Sequence, residues 1–162
     1  LIDLVGVDVN YAVATALWEA FDNPVRLQPS PIQRRLVELD RLGRKTGEGF
    51  YRYQDGRPVG LSERLPDAGV RSAEASGLGA DEIVKRIELA IINEAYHAAG
   101  EAVAEASDID RAMKLGANHP HGPFERAGAL GLRVVIDELA RLEASYGERY
   151  RVAPALWQVA SI

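Results

Sequence analysis

Cysteine is absent from the 162 residues. That excludes disulfides, thiolate zinc sites and cysteine nucleophiles. No apolar run approaches the roughly 20 residues of a membrane span. No charged, apolar, small-residue leader opens the chain. The net charge is −5 and no basic stripe is visible, which argues against a nucleic-acid surface. Nothing resembles a nucleophile elbow, a glycine-rich dinucleotide fingerprint or a basic–aromatic platform. These absences predict a soluble cytoplasmic protein with neither a membrane nor a nucleic-acid partner.

What is present is an ordinary globular mix, 47% apolar and 27% charged. The length suits one domain or two small helical units. The opening Leu1-Ile2-Asp3-Leu4-Val5 is apolar where a natural terminus is usually polar and loose. The expectation is that the chain begins inside something larger. Val9, Ala12, Val13, Ala16, Leu17 and Ala20 share one face of a helix predicted over Asp8–Phe21. A second helix has Ser30 as N-cap, Pro31 at N1 and Gln33 closing a capping box. Leu36, Leu39 and Ile32 form its inner side, and Gly43 stops it after Leu42. The turn-rich loop Gly43–Tyr51 then delivers Phe50, Tyr51 and Tyr53.

Residues 54–79 hold seven glycines or prolines and no apolar period, which reads as a linker. A long helix follows from Asp81 to Ala99. Ile83, Ile87, Ala90, Ile91, Glu94 and Ala98 lie near one face, and Ile92 and Ala95 widen the stripe. Ser107 caps a short helix through Lys114, with Gly116 as its stop. The Ala117–Pro123 loop is too rich in proline and glycine for regular structure. Leu132–Tyr146 is helical, and Pro154 opens a last turn carrying Leu156 and Trp157. No strand is predicted, so the fold class is all-α. A shift of 125 positions aligns Gly6 with Gly131, Val9 with Val134, Leu17 with Leu142, Arg26 with Arg151 and Pro29 with Pro154. This suggests an internal repeat whose first copy lacks the long helix.

The chemistry-bearing groups are few. Gly43-Arg44-Lys45-Thr46 lacks the upstream glycine of a phosphate loop, because position 38 is Glu. His119 and His121 have only His97 as a further histidine, and zinc wants three or four ligands. They read as loop histidines, and no metal site is expected. Glu94 reads as a paired structural carboxylate, with Arg86 or a loop amide as partner. Asp108 and Asp110 read as charge favoured by a helix N-terminus. Arg26 and Arg151 read as ties between a turn and a helix end. Trp18 and Trp157 read as interface anchors.

The string Met113-Lys114-Leu115-Gly116-Ala117-Asn118-His119-Pro120-His121-Gly122-Pro123-Phe124-Glu125 is similar to a segment of the 3-hydroxyacyl-CoA dehydrogenase family. So are Asn93-Glu94-Ala95 and Ser107–Met113 ahead of it. Asp3–Asp8, Gln28–Pro31 and Leu42-Gly43-Arg44-Lys45-Thr46-Gly47-Glu48-Gly49-Phe50-Tyr51 resemble that family's later half. The resemblance implies two tandem copies of the helical C-terminal domain, over 1–53 and 80–162. They would share the fold of the 6-phosphogluconate dehydrogenase C-terminal domain and pack as a pseudo-dimer. It further implies a parent enzyme that oxidises L-3-hydroxyacyl-CoA with NAD, this part closing over the acyl-CoA and mediating dimerisation. The family's catalytic histidine and glutamate belong to a Rossmann domain outside this sequence. Its substrate-contacting asparagine aligns with Lys85, which cannot supply an amide's paired donor and acceptor. No residue here therefore inherits a catalytic or NAD-binding role, and the second copy reads as structural. Arg44 and Lys45 are the candidates to touch a CoA phosphate. The alternative is a stand-alone helical oligomerisation module.

Overall fold

A computed structural model describes residues 1–63 and 77–161. The chain divides into two compact units, Leu1–Ser76 and Gly77–Ile162.

The first unit opens with a short helix, α1 (Ile2–Val5), and turns at Gly6 into α2 (Val7–Ala20). Gly6 has φ 116°, a conformation that suits glycine. A 3-10 turn at Val25–Leu27 leads to α3 (Pro31–Glu38). The Ser30 hydroxyl accepts from the Gln33 amide at 3.4 Å, as an N-cap should. The return half of the predicted box does not form, because the Gln33 amide side chain donates to Asn10 at 2.9 Å. α3 also ends before Leu42: Leu39 is its C-cap, and Asp40 turns the chain at φ 55°.

A hairpin follows, where the sequence suggested no strand. β1 (Tyr51–Gln54) pairs antiparallel with β2 (Arg57–Leu61). Asp55 and Gly56 both have positive φ, 49° and 74°. This is the Asp-Gly turn whose twist matches that of the strands it joins. The hairpin occupies the start of the stretch read as linker, and 64–76 lie outside the described residues.

The second unit begins with α4 (Ala80–Gly100), then α5 (Ala106–Gly116), α6 (Pro123–Leu130), α7 (Leu132–Tyr146), a 3-10 turn at Glu148–Tyr150, and α8 (Pro154–Ala160). Pro123, predicted to lie in a loop, is the N1 residue of α6. Glu105 occupies the N-cap position of α5, so Ser107 falls inside its first turn. α4 packs on α6 and α8, and α7 packs on both of those. The core holds Leu89, Ile92 and Tyr96 of α4 with Val135, Ile136, Leu139 and Leu142 of α7, closed by Ala127, Val152, Ala153 and Leu156. The buried side of α4 is thus the Leu89–Ile92–Tyr96 side. Ile83 and Ile87, expected inside, are exposed.

The two units repeat one plan. In each, a helix meets a positive-φ glycine, a long helix follows, then a 3-10 turn and a proline-started helix. Gly6 matches Gly131, as expected. The second half of the alignment needs correction. Both Pro31 and Pro154 occupy the first helical turn, so Pro31, not Pro29, is the structural counterpart of Pro154. The cause is a shorter link: one residue separates α7 from its 3-10 turn, against four after α2.

Candidate functional site

Each unit is organised around a buried aspartate that accepts from backbone amides far along the chain. In the first unit it is Asp3. Its carboxylate accepts from the amides of Phe50 and Tyr51, both at 2.9 Å, and from the Tyr53 hydroxyl at 3.2 Å. Charge-assisted bonds of this kind are about twice as strong as neutral ones. Burial, then the Asp3 charge, pushes the Tyr53 hydroxyl above its ordinary value of 10.0. Gly49 makes room for this carboxylate and Gly43 for the Asp3 backbone. A Cβ on Gly49 would lie 2.4 Å from the Asp3 Oδ1, and one on Gly43 would lie 2.4 Å from the Asp3 carbonyl oxygen. The loop glycines therefore serve close approach, which accounts for the motif that superficially suggested phosphate binding.

Arg44 and Lys45 lie in the 3-10 turn Arg44–Thr46 of that loop. The Lys45 ammonium donates to both carboxylate oxygens of Asp8, at 2.6 and 2.7 Å. This bond holds the Asp8 carboxyl below its ordinary value of 3.8. Arg44 is exposed and makes no ion pair among the described residues. The fold brings the two cations together in sequence but commits only one of them.

In the second unit the aspartate is Asp110. It is buried and accepts from the amides of Phe124 at 2.8 Å and Glu125 at 3.1 Å, at the start of α6. It therefore caps a neighbouring helix instead of serving its own helix's N-terminus. Gly122 gives it room, since a Cβ there would meet the Asp110 side chain at 2.2 Å. Asn93 ties α4 to the turn before α8. Its amide nitrogen donates to the Arg151 carbonyl at 2.9 Å, and its oxygen accepts from the Ala153 amide at 2.9 Å. The signal was a lone amide on the apolar side of a long helix, which must find partners when buried. Arg151 itself pairs with Glu148 at 2.7 Å and Glu143 at 3.4 Å.

Lys85 reaches Glu138 at 2.9 Å. This bond, then Arg141, holds the Glu138 carboxyl below its ordinary 4.5. Arg86 stacks 3.6 Å over the Tyr146 ring. His119 is half-buried and His121 exposed, and the described residues contain no group of three or more metal-ligating side chains. Trp18 is half-buried and Trp157 is 44% exposed. A cavity of about 260 Å³ opens between α4 and the His119–Pro123 stretch.

Among the described residues the only sheet is a two-stranded antiparallel hairpin. A dinucleotide fold needs parallel strands with a glycine-rich turn into a helix, so these residues do not fit a NAD site. The two units define a helical domain class. The chain belongs to the family described as "3-hydroxyacyl-CoA dehydrogenase, C-terminal domain", whose model matches residues 1–53 and 83–161. Similar proteins include the 3-hydroxyadipyl-CoA dehydrogenase of Escherichia coli, 29% identical over 98% of this chain and 49% of that protein. The fatty acid oxidation complex subunit alpha of Idiomarina loihiensis is 33% identical over 98% of this chain and 23% of its own length. Among solved structures, the 3-hydroxybutyryl-CoA dehydrogenase of Escherichia coli K12 matches with TM-score 0.76 and 27% identity, covering 99% of this chain and 50% of that one. The chain thus spans half or less of the length of these relatives.

Proposed function

We propose that this chain is the substrate-closing and dimerising portion of an NAD-dependent L-3-hydroxyacyl-CoA dehydrogenase, which converts 3-hydroxyacyl-CoA to 3-ketoacyl-CoA. The observation that carries the reading is the double family match, laid over two units of the same helical plan. In this reading the NAD and the groups that take the hydroxyl proton belong to a Rossmann domain of the parent. The present residues act by shape. The Asp3 and Asp110 tethers hold loops and helix starts rigid, so that a wall packed against acyl-CoA keeps its form. Arg44 is the cation available to a CoA phosphate, and Lys45, shared with Asp8, is the secondary one. The chain alone is inactive.

Dimerisation is supported by the surface of the first unit. Val9, Val13 and Leu17 of α2 are 45, 54 and 50% exposed, and Leu4 and Val5 beside them exceed 55%. A contiguous apolar face of that kind marks an interaction surface. That face also motivates the second reading, a non-catalytic oligomerisation module.

The experiment is an assay of acetoacetyl-CoA reduction by NADH. The chain alone should give background rates. The chain joined to its upstream coding sequence should turn over. Turnover by the chain alone would overturn the inactivity. A fused protein without activity would favour the module.

A further inference from the structure

The two units place one helix face under different cover. α2 and α7 keep a common register from end to end. Gly6 matches Gly131 at the start and Asp22 matches Gly147 at the end, all four at positive φ. Leu17 therefore stands where Leu142 stands. Leu142 is 1% exposed and lies in the core with Leu89 of α4. Leu17 is 50% exposed. The same side chain, on the same plan, is dry in one unit and wet in the other. Val13, one turn earlier, is 54% exposed where its counterpart Glu138 is half-buried. Val9 behaves differently, because its counterpart Val134 is exposed as well. The difference in cover thus belongs to the later part of α2.

In the second unit the first half of α4 reaches that part of α7. Lys85 bonds to Glu138 at 2.9 Å, Glu82 lies 3.7 Å from Arg141, and Arg86 stacks 3.6 Å over the Tyr146 ring. Positions 82, 85 and 86 are neighbours on one side of a helix, so they fix which side of α4 meets α7. In α2 the places of Glu138, Arg141 and Tyr146 are held by Val13, Ala16 and Phe21. The two charges are gone and the ring is kept. A helix laid on α2 in the same way finds no partner there for an acid at the place of Glu82 or a base at the place of Lys85. An unpaired charge pressed against carbon is costly. A cation at the place of Arg86 still finds a ring. α2 itself contains no lysine or arginine, so the α2 of a second copy does not supply that cation.

We propose that the Val13–Phe21 part of α2 is the seat of a further helix of the α4 kind, supplied from outside these residues. That helix is uncharged at the places of Glu82 and Lys85 and cationic at the place of Arg86. The seat rests on the reading of this chain as one portion of a longer dehydrogenase, and it leaves Leu4, Val5 and Val9 to dimerisation.

The test is a ¹H–¹⁵N NMR titration of the 162-residue chain with a synthetic peptide of the α4 sequence, Ala80–Gly100, carrying Glu82→Gln and Lys85→Gln. Amides of residues 12–22 should shift and those of the second unit should not. The peptide with Glu82 and Lys85 unaltered should bind at least tenfold more weakly. In the chain variant Val13→Glu with Ala16→Arg, which supplies the charges of α7, that order should reverse. Leu17→Asp, at an exposed position, should weaken the first peptide at least tenfold with an unaltered far-UV circular dichroism spectrum. The absence of shifts at millimolar peptide would overturn the proposal, as would equal binding of the two peptides or an unreversed order in the double variant. Shifts of residues 12–22 on dilution of the chain alone, with none on adding peptide, would show a second copy in the seat, which also overturns it. No turnover enters this titration, so its failure is distinct from a failure of the acetoacetyl-CoA assay.

Discussion

α2 and α7 start from equivalent glycines and run almost the same length, yet their apolar residues are covered differently. The positions that in α7 carry Val135, Ile136 and Leu139, all fully buried, carry Asn10, Tyr11 and Ala14 in α2, all half-buried. The outward positions Asp137, Glu138 and Arg141 of α7 correspond to Ala12, Val13 and Ala16 of α2. In the second unit the outward face is salted, with Glu138 bonded to Lys85 and Arg141. The physical reason is what covers each helix. α7 has α4 to pack against, so its large apolar residues face inward. The first unit has no such helix among its described residues, and its fully buried apolar side chains are few, chiefly Val7 and Leu36. One plan thus serves two ends. The second unit spends its carbon on its own core, and the first presents it outward.

That contrast can be broken at its strongest point. Leu139→Ala removes a fully buried side chain and should cost about 2–5 kcal/mol, read as a lower urea midpoint. If the cost falls below about 1 kcal/mol, the core is not where the structure puts it. Asn93→Ala comes next, because it strips the partners from the part-buried Arg151 carbonyl and the buried Ala153 amide. The expected loss is about 2–4 kcal/mol, with amide exchange accelerated in the second unit only.

The exchange Val13→Glu with Ala16→Arg gives α2 the outer chemistry of α7. Stability should change by less than about 0.5 kcal/mol, while any self-association seen by sedimentation should disappear. Persistence of the association would place the sticky surface elsewhere.

The carboxylate shifts give the smallest effect. Glu125 is held below its ordinary 4.5, first by its bond from Lys114 and then by the Gly122 amide, and Glu138 is lowered by Lys85. A folded value below the unfolded one means the contribution is complete above the unfolded value and is lost as pH falls towards the folded one. The urea midpoint should therefore hold from about pH 7 down to about pH 5 and decline below the ordinary carboxylate range. Lys85→Met should shrink that decline, and an unchanged profile would remove Lys85 as its source.

Most of the helices are legible because each carries a strong local signal, whereas α1 and α6 are not. Leu132–Tyr146 was read with its observed ends, since its period is clean and Gly147 stops it. The hairpin was passed over because its glycines and prolines were counted as linker composition. The turn chemistry of Asp55-Gly56 outweighed that count. The stripe on α2 reads in the sequence as one apolar face and no more, because periodicity shows that a face is apolar and not what lies against it. Asp3 and Asp110 escaped notice as tethers for a related reason. Their partners lie 47 and 48 residues away in the first unit and 14 and 15 in the second, beyond any helical period.

Those separations set an order of assembly. Asp110 finds its amides within a stretch that is synthesised almost together, so the start of α6 can be tethered while α5 is still new. Asp3 must wait for Phe50, Tyr51 and Tyr53. Until Tyr53 has left the ribosome the first unit lacks the bonds that close it. Its apolar α2 face is already made in that interval and stays exposed once the unit has closed.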